Sequence, residues 1–319
     1  MIRICVCRHL PGELDLPDTE LISNECERAF LRDELLSFVS GANILVTWVS
    51  ERVDDELLKA AGEGLKAVCN FAVGTDNIDL AACKKRGIIV TNTPDAVTEG
   101  TADMAWTLML AAARGLIAAD RFARSAEYGA RGPLGPNEFL GLDIAGRTLH
   151  IVGAGRIGFA TALRSLGWGM KILYTARTPH PAFEFAPLNA TRVSLEEGLA
   201  KADYISLHTP LTPETRGLIN AKNLAIVKPG AVLINTSRGP VVQEQALVDA
   251  LKGGRLAAAG LDVFEQEPKV HPDLISMTNV VLSPHIGSAS RRSRGMMVEI
   301  VRANAMAIIA GGEPPNRVV

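Results

Sequence analysis

The sequence is poor in cysteine, and the few that it has exclude a disulfide scaffold or a zinc site. The five cysteines are odd in number, and their spacings match no zinc-binding pattern: Cys5, Cys7, Cys26, Cys69 and Cys83. Cys5 and Cys7 would share one face of a strand, so we expect small buried hydrophobic side chains in a reducing compartment. No metal site is predicted.

The sequence also lacks a long apolar run and an excess of charge of either sign. Its most apolar longer segment, MAWTLMLAAA at 104–113, is too short to cross a bilayer. The opening stretch MIRICVCRHLPGEL turns polar too early for a signal peptide. The formal net charge of −2 gives no sign of a nucleic-acid or anionic-membrane partner. These absences predict a cytoplasmic globular protein that binds neither nucleic acid nor membrane.

Apolar runs alternate with helical stretches, and this alternation predicts parallel sheets with right-handed crossovers. Both faces of each run are apolar, which is typical of strands buried on both sides. The runs in the first hundred residues are IRICVC (2–7), NILVTW (43–48), LKAVCNF (65–71) and IIVTNT (88–93). The later runs are TLHIVG (148–153), MKILYT (170–175), YISLHTP (204–210), AVLINTS (231–237), AAAGLDV (257–263) and NVVLSPH (279–285). The predicted fold class is α/β with two doubly wound parallel-sheet domains, a Rossmann coenzyme domain and a flavodoxin-like substrate domain.

A long apolar helix separates the two series of strands. Thr98 is a suitable N-cap, Glu99 lies in the first turn, and the helical pattern continues to about Tyr128. Apolar residues cover much of its circumference, which indicates either a domain-connecting or subunit-contact helix or an ordinary core helix. A final helix, from about 288 to 311, is expected to pack on the first domain. The predicted domains are residues 1–98 with 286–319, which bind substrate, and residues 99–285, which bind a dinucleotide.

The segment GAGRIG at 153–158 fits the dinucleotide-binding pattern G-x-G-x-x-G. The strand TLHIV leads into this segment and a helical stretch leaves it, which is the structural context that the pattern needs. Gly153 would allow the tight turn, Gly155 the close approach of a pyrophosphate, and Gly158 the packing of helix on strand. The N–H groups at the start of the helix would bind phosphates. A bound dinucleotide is therefore predicted.

The acidic residue that would bond the ribose 2′-hydroxyl of NAD is missing. It is expected about 20 residues beyond the fingerprint, but Thr175 and Ala176 stand there and no carboxylate follows until Glu184. A carboxylate would repel a 2′-phosphate, whereas Arg177 offers a fork of donors that suits one. Thr175 and Thr178 add hydroxyl donors. The stretch favours NADP(H), with NAD(H) as the alternative if the arginine only stacks on the adenine.

Three polar residues, Arg238, Glu267 and His285, lie at or just beyond the ends of predicted strands in the second half of the chain. Ligands of an open α/β sheet bind beyond the carboxyl ends of its strands, so all three are expected at the cofactor crevice. Arginine can hold a carboxylate by two hydrogen bonds, and histidine can protonate a developing alkoxide. A glutamate beside the ring would favour its protonated form. The combination suits hydride transfer between a nicotinamide and a 2-oxo acid.

The motifs of this chain resemble those of the D-isomer-specific 2-hydroxyacid dehydrogenases, and within that family they are most similar to the glyoxylate/hydroxypyruvate reductases. The resemblance covers nearly the whole chain. It rests on CNFAVGTDNID (69–79), GRTLHIVGAGRIG (146–158), HTPLTPETRGLIN (208–220), INTSRGPVV (234–242), AAAGLDVFEQEP (257–268) and SPHIGSAS (283–290).

The resemblance implies roles for individual residues. Arg238 would orient the substrate, His285 would be the acid/base catalyst, and Glu267 would be the partner of that histidine. Backbone N–H groups of Val73 and Gly74 would bind the substrate carboxylate. The fingerprint, the 175–178 stretch and the resemblance together give the expected cofactor contacts: Thr101, Gly153, Ala154, Gly155, Arg156, Ile157, Gly158, Thr175, Ala176, Arg177, Thr178, His208, Thr209, Pro210, Thr215, Thr236, Asp262, His285 and Gly287.

The expected function is hydride transfer from NAD(P)H, with NADPH preferred, to a small 2-oxo acid such as glyoxylate or hydroxypyruvate, giving the D-2-hydroxy acid. Two alternatives stay open from the sequence. One is an NAD-dependent dehydrogenase of the same fold acting on phosphite or a bulkier 2-oxo acid. The other is a non-enzymatic regulator that senses a dinucleotide. A homodimer is expected, because the long helix is apolar enough to form a subunit contact.

Overall fold

The computed structural model describes residues 1–26 and 28–319, and the chain divides into two compact units. One unit comprises Met1–Val97 with Ser288–Val319, and the other comprises Thr98–Gly287. The division expected from the sequence differs from these boundaries by no more than two residues (97 against 98, and 288 against 286).

The first unit contains a five-stranded parallel sheet. Its strands are β1 (Ile2–Val6), β2 (Thr19–Ser23), β3 (Ile44–Thr47), β4 (Ala67–Asn70) and β5 (Ile89–Thr91), and its first helices are α1 (Arg32–Phe38), α2 (Asp55–Ala61) and α3 (Leu80–Lys85). The spatial order is β2-β1-β3-β4-β5, which is the flavodoxin-like arrangement. Strand β2 is absent from the prediction, because its residues are exposed or half-buried at the sheet edge and form no apolar run.

The core of the first unit contains most of the cysteines. Cys5 and Cys7 are buried, as expected from their place on a predicted strand; Cys69 and Cys83 are also buried, and Cys26 is exposed. Burial raises the pKa of the Cys69 thiol to about 11, and the pKa of the Cys83 thiol to the same value. These thiols stay protonated at neutral pH and pack as small apolar groups.

The second unit contains a seven-stranded parallel sheet. Its strands are β6 (Thr148–Val152), β7 (Lys171–Thr175), β8 (Thr191–Arg192), β9 (Tyr204–Leu207), β10 (Ala231–Asn235), β11 (Leu256–Leu261) and β12 (Val280–Leu282). Its helices are α4 (Thr98–Ala113), α5 (Leu116–Ala123), α6 (Ala126–Arg131), α7 (Arg156–Arg164), α8 (Pro181–Glu184), α9 (Leu195–Lys201), α10 (Ala221–Ile226), α11 (Glu244–Lys252) and α12 (Pro272–Ser276). The order β12-β11-β10-β9-β6-β7-β8 is the Rossmann order with one strand added, so the predicted fold class is confirmed.

The prediction of one helix from Thr98 to about Tyr128 is wrong. Helix α4 ends at Ala113, and Gly115 adopts a left-handed conformation with φ of +56°. A residue in that conformation ends an α-helix, and α5 leaves at an angle of 65° to α4. Among the described residues no single helix has the length and apolar character to cross a membrane; only α4 and α5 taken as a bent pair would meet that criterion.

The chain returns to the first unit at its end. Helix α13 (Arg291–Ile309) packs against β4, and the tail after it runs antiparallel to β5. The N–H of Val318 donates to the carbonyl of Val90 at 2.7 Å, and the N–H of Val90 donates to the carbonyl of Val319 at 3.2 Å. The tail therefore covers an edge of the five-stranded sheet that would otherwise have free backbone groups.

Candidate active site

The fingerprint loop lies between β6 and α7, at the point where the strand order of the second sheet reverses. Gly153 has φ of +106°, and a Cβ there would lie 2.7 Å from the carbonyl oxygen of His208. A Cβ at Gly158 would lie 2.1 Å from the carbonyl oxygen of Gly153. A Cβ at Gly155, the N-cap of α7, would meet nothing within 4 Å. The loop thus requires glycine and presents the helix N-terminus to open space, as pyrophosphate binding needs.

The non-glycine residues of the loop lie at or just before the start of α7. Ala154 is buried, Arg156 is exposed at the first position of α7, and Ile157 is half-buried in the first turn. The first N–H groups of a helix have no partner within it. The described residues of the loop therefore fit a dinucleotide phosphate.

The end of β7 offers no carboxylate to a ribose. The Thr175 hydroxyl donates to the carbonyl of Val193 at 3.1 Å and is also bonded to Nε2 of His150 at 2.8 Å. The first carboxylate that follows, Glu184, accepts a hydrogen bond from the Tyr174 hydroxyl at 2.5 Å. The one proton of the Thr175 hydroxyl is thus engaged inside the protein, and Glu184 is held by a buried tyrosine.

The exposed Arg177 and Thr178 follow on the next positions, with half-buried Ala176 before them. The pKa of Glu214 is lowered by hydrogen bonding to Thr212 and, among weaker causes, by the positive charge of Arg177. Arg177 therefore lies within electrostatic reach of the turn at 212–215. In that turn the Thr215 hydroxyl accepts from the N–H of Thr212 at 2.8 Å and bonds the carbonyl of Pro210 at 2.6 Å.

Arg238 stands on a turn that the sequence holds tightly at the end of β10. The side chain of Asn235 accepts from the N–H of Ser237 at 3.0 Å and donates to the carbonyl of Arg238 at 3.0 Å. A Cβ at Gly239 would lie 1.8 Å from the carbonyl oxygen of Phe264. Only glycine allows this approach, and it brings the arginine turn against the segment that carries Glu267.

His285 and Glu267 form a direct pair. Nδ1 of His285 lies 2.8 Å from Oε2 of Glu267, with side chains 28% and 34% exposed, and Oε1 of Glu267 accepts from the N–H of Phe264 at 3.0 Å. Burial alone would raise the pKa of Glu267, but the hydrogen bond and charge of His285, the Phe264 N–H and the charge of Arg238 lower it below its ordinary value. The carboxylate is therefore ionised at neutral pH, and Nε2 is the ring nitrogen left for a ligand.

The buried Asp262 holds the loop on which His285 stands. Its carboxylate accepts from the Ser283 hydroxyl at 2.5 Å and from the N–H groups of Ile286 at 2.9 Å and Gly287 at 2.7 Å. His285 itself adopts φ of +55°, and its N–H donates to the Asp262 carbonyl at 2.8 Å. The Asp262 contacts thus stabilise an unusual backbone conformation at the acid/base candidate itself.

Other predicted cofactor residues lie near these groups. A Cβ at Gly287 would lie 3.0 Å from Oδ2 of Asp262 and 3.5 Å from Cγ2 of Thr101, so the three residues expected near the nicotinamide meet. The ring of His208 is bonded to Ser206 at 2.9 Å. The hydroxyl oxygens of Thr209 and Thr236 are buried and have no hydrogen-bond partner in the described part of the chain. Each can therefore bond one further group.

Val73 and Gly74 lie in the first unit, in the loop after β4. The carbonyl of Val73 accepts from the side chain of Asn92 at 2.9 Å, and the carbonyl of Gly74 accepts from the side chain of Asn70 at 2.7 Å. Two asparagines therefore fix the loop and the direction of its peptide units.

Several residues that support the site escaped the sequence reasoning. Asn235 and Gly239 act through backbone contacts, and Ser283 acts through its hydrogen bond to the Asp262 carboxylate. Of these, only Gly239, beside the candidate Arg238, could have been suspected from its neighbour. Arg192 is another: its guanidinium donates to the carbonyls of Ala176 and Arg177. Nothing in the sequence around it distinguishes it from a solvated arginine.

Comparison with known proteins identifies the family. Residues 106–287 match the family model for the D-isomer specific 2-hydroxyacid dehydrogenase, NAD binding domain. The chain is 50% identical over 295 residues to a glyoxylate reductase of Thermococcus onnurineus, covering 92% of this chain and 88% of that protein. It is 49% identical over 293 residues to a glyoxylate reductase of Thermococcus kodakarensis, covering 92% and 87%.

Solved structures show the same architecture. A Thermus thermophilus protein superimposes with a TM-score of 0.90 at 44% identity over 100% of both chains. An NADPH-dependent glyoxylate/hydroxypyruvate reductase of Sinorhizobium meliloti, solved with NADP and malonate, superimposes with a TM-score of 0.84 at 35% identity over 100% of this chain and 97% of that one. Together with the fingerprint loop, the matches give a nicotinamide dinucleotide as the cofactor class. The chain belongs to the D-isomer-specific 2-hydroxyacid dehydrogenases.

Proposed function

We propose that this protein reduces a small 2-oxo acid such as glyoxylate or hydroxypyruvate to the D-2-hydroxy acid, with NADPH as the preferred coenzyme. The observation that carries the proposal is the pair of His285 and Glu267 at 2.8 Å. The two residues follow β11 and β12, in the same parallel sheet in which β10 leads to Arg238 and β6 leads to the fingerprint loop. When bound, the reduced nicotinamide supplies the hydride.

The residues have distinct tasks in this proposal. His285 donates a proton from Nε2 to the carbonyl oxygen of the substrate, while Glu267 accepts from Nδ1 and stabilises the protonated ring. Arg238 holds the substrate carboxylate by paired hydrogen bonds and polarises the adjacent carbonyl. Backbone N–H groups of Val73 and Gly74 in the first unit are proposed donors to a substrate carboxylate. Thr101, Asp262 and Gly287 support the nicotinamide end.

The proposed substrate class follows the relatives. Proteins 50% and 49% identical to this chain over most of its length are named glyoxylate reductases. The residues proposed for hydride transfer recognise only a carboxylate and an adjacent carbonyl, which every 2-oxo acid has. The remaining preference for a small substituent is therefore taken from the relatives.

The coenzyme preference rests on the end of β7. Arg177 is exposed there, Thr175 replaces the expected acid, and Glu184 is bonded to Tyr174. A 2′-phosphate would meet a guanidinium and no free carboxylate at these positions. A relative with 35% identity was solved with NADP.

We further propose a homodimer formed through the apolar arm, defined as residues 116–142. Leu116 is 56% and Leu140 is 75% exposed, and Ile117, Tyr128 and Phe139 add further exposed apolar surface. Clustered apolar side chains on the surface of a globular protein mark interaction sites. The cytoplasmic location expected from the sequence remains a prediction.

A panel of 2-oxo acids, assayed with NADPH and with NADH at equal concentration by absorbance, tests the function. We expect turnover of glyoxylate and hydroxypyruvate and a higher rate with NADPH. Faster turnover of phenylpyruvate, or of phosphite with NAD, would point to the first alternative. Coenzyme binding without turnover of any compound would point to a dinucleotide sensor.

A further inference from the structure

Arg192 forms hydrogen bonds with the backbone of residues 176–177, in the segment proposed to bind the coenzyme 2′-phosphate. It lies on the two-residue edge strand β8 and pairs with Tyr174 of β7. Its Nη2 donates to the carbonyl of Ala176 at 3.0 Å and to the carbonyl of Arg177 at 2.9 Å, and its Nε lies 3.3 Å from the Ala176 carbonyl. One guanidinium thus holds two consecutive peptide units.

This arrangement fixes the direction of the neighbouring N–H groups. A trans peptide unit is planar, and its C=O and N–H point in opposite directions. When Arg192 holds the carbonyls of Ala176 and Arg177, the N–H groups of Arg177 and Thr178 must point away from the Arg192 guanidinium. Those N–H groups and the Arg177 side chain are the donors that a phosphate at the end of β7 would need.

The same segment is fastened at both ends. On one side the Thr175 hydroxyl donates to the carbonyl of Val193, the residue after Arg192, at 3.1 Å. On the other side the N–H of His180 donates to the Tyr174 hydroxyl at 3.0 Å. Between these anchors, the Arg192 side chain holds the carbonyls of residues 176 and 177. A binding group held in one geometry loses less conformational entropy when its ligand binds.

We propose that Arg192 is a positioning residue for the coenzyme 2′-phosphate, because it fixes the backbone from which Arg177 and Thr178 donate. This proposal rests on the proposed use of NADPH. In this proposal, strand β8 contributes to the preference for NADPH over NADH through the contacts of Arg192 with the segment after β7. It predicts that loss of Arg192 weakens recognition of the 2′-phosphate and leaves recognition of the rest of the nucleotide unchanged.

The test compares two nucleotide fragments by isothermal titration calorimetry on the full chain. One fragment, 2′,5′-ADP, carries the 2′-phosphate, and the other, 5′-AMP, lacks it. For Arg192→Gln we expect the affinity for 2′,5′-ADP to fall by about tenfold, as for loss of a charge-assisted hydrogen-bonded contact. The affinity for 5′-AMP should stay within about twofold, because the fingerprint loop is untouched.

Three variants separate positioning from charge. Arg147→Gln removes one positive charge at the opposite, amino end of β6, where Arg147 pairs with Asp143, and it should change neither affinity. Arg192→Lys keeps the charge but has no planar fork, so most of the loss should remain. In the Arg177→Gln background the Arg192→Gln change should add little, because the two residues act on one contact.

The outcomes distinguish this inference from the proposed function. If the unaltered protein binds both fragments equally, the NADPH preference itself fails. If it prefers 2′,5′-ADP and Arg192→Gln keeps that preference with an unchanged thermal midpoint, the inference alone fails. Full recovery in Arg192→Lys, or an undiminished effect in the Arg177→Gln background, would show that Arg192 acts by charge or direct contact and would also overturn the positioning role.

Discussion

At the scale of single residues, the site depends on one proton carrier and one carboxylate that orients it. His285 is bonded through Nδ1 to Glu267, so Nε2 can serve the substrate. Replacing His285 by alanine removes the proton donor and leaves the fingerprint loop intact. We expect kcat to fall by about 10²–10⁴-fold, with the coenzyme dissociation constant, measured by fluorescence titration, nearly unchanged. Retained turnover would remove His285 from the mechanism.

A second residue-scale prediction concerns Gly239, where a Cβ would lie 1.8 Å from the Phe264 carbonyl oxygen. Gly239→Ala must push the Arg238 turn away from the segment of Glu267. We expect the free energy of unfolding to fall by about 1–3 kcal/mol and KM for the 2-oxo acid to rise. Gly167→Ala is the matched control, because a Cβ at Gly167 meets nothing within 4 Å. Equal stability of the two variants, by urea unfolding, would contradict the steric argument.

At the scale of elements, a buried histidine links β6 to the end of β7. Burial lowers the pKa of His150 to about 4 from the ordinary 6.5, and its Nε2 bonds the Thr175 hydroxyl. Between about pH 4 and pH 6.5, His150 is protonated in the unfolded chain and neutral in the folded chain. The stability that depends on neutral His150 is therefore present above about pH 6.5 and is lost as the pH falls, by up to about 1.4 kcal/mol per pH unit.

His150→Gln should remove this part of the acid sensitivity. Urea unfolding followed by tryptophan fluorescence at several pH values between about 7 and 4.5 measures the slope of the unfolding free energy against pH. We expect the variant to be less stable than the unaltered protein at pH 7 but to lose less stability on acidification. Parallel slopes would show that folding does not lower the pKa of His150.

Apolar runs in the sequence predict the central strands but not the edge strands β2 and β8 or the end of α4. The strands β1, β3, β6 and β10 are short runs made mostly of apolar residues, so they were predictable from the sequence. Edge strand β2 has no such run. Strand β8 consists of two exposed residues, which are recognised as a strand only through their pairing with β7. The break at Gly115 was hidden because apolar residues continue on both sides of it.

The candidate site shows the same limit. Arg238, Glu267 and His285 were predictable because each is a reactive side chain at or just beyond a strand end, and parallel strands bring such ends together. The hydroxyl of Thr175 was expected to face the coenzyme, whereas it donates to Val193. Arg192 and Asn235 bond backbone carbonyls and amides, and pairing of that kind depends on the path of the chain.

At the scale of the whole molecule, the apolar arm predicts self-association. Light scattering after gel filtration should give twice the chain mass of 34.0 kDa. Ile117→Glu combined with Leu140→Glu places two charges on this surface and should yield the single-chain mass. Ile226→Glu is the control, because Ile226 is 42% exposed but lies on α10, outside the arm. A dimer that survives the double substitution would place the contact elsewhere.

The pairing of the C-terminal tail with β5 has a consequence for biosynthesis. The first unit is encoded in two pieces, and its second piece leaves the ribosome only after residues 98–287 have been made. Until then the nascent five-stranded sheet lacks α13 and presents β5 to the solvent as an open template for other strands. The first unit therefore begins to form before the second unit but is completed after it. How long β5 stays exposed to aggregation during translation depends on how quickly the rest of the chain is made.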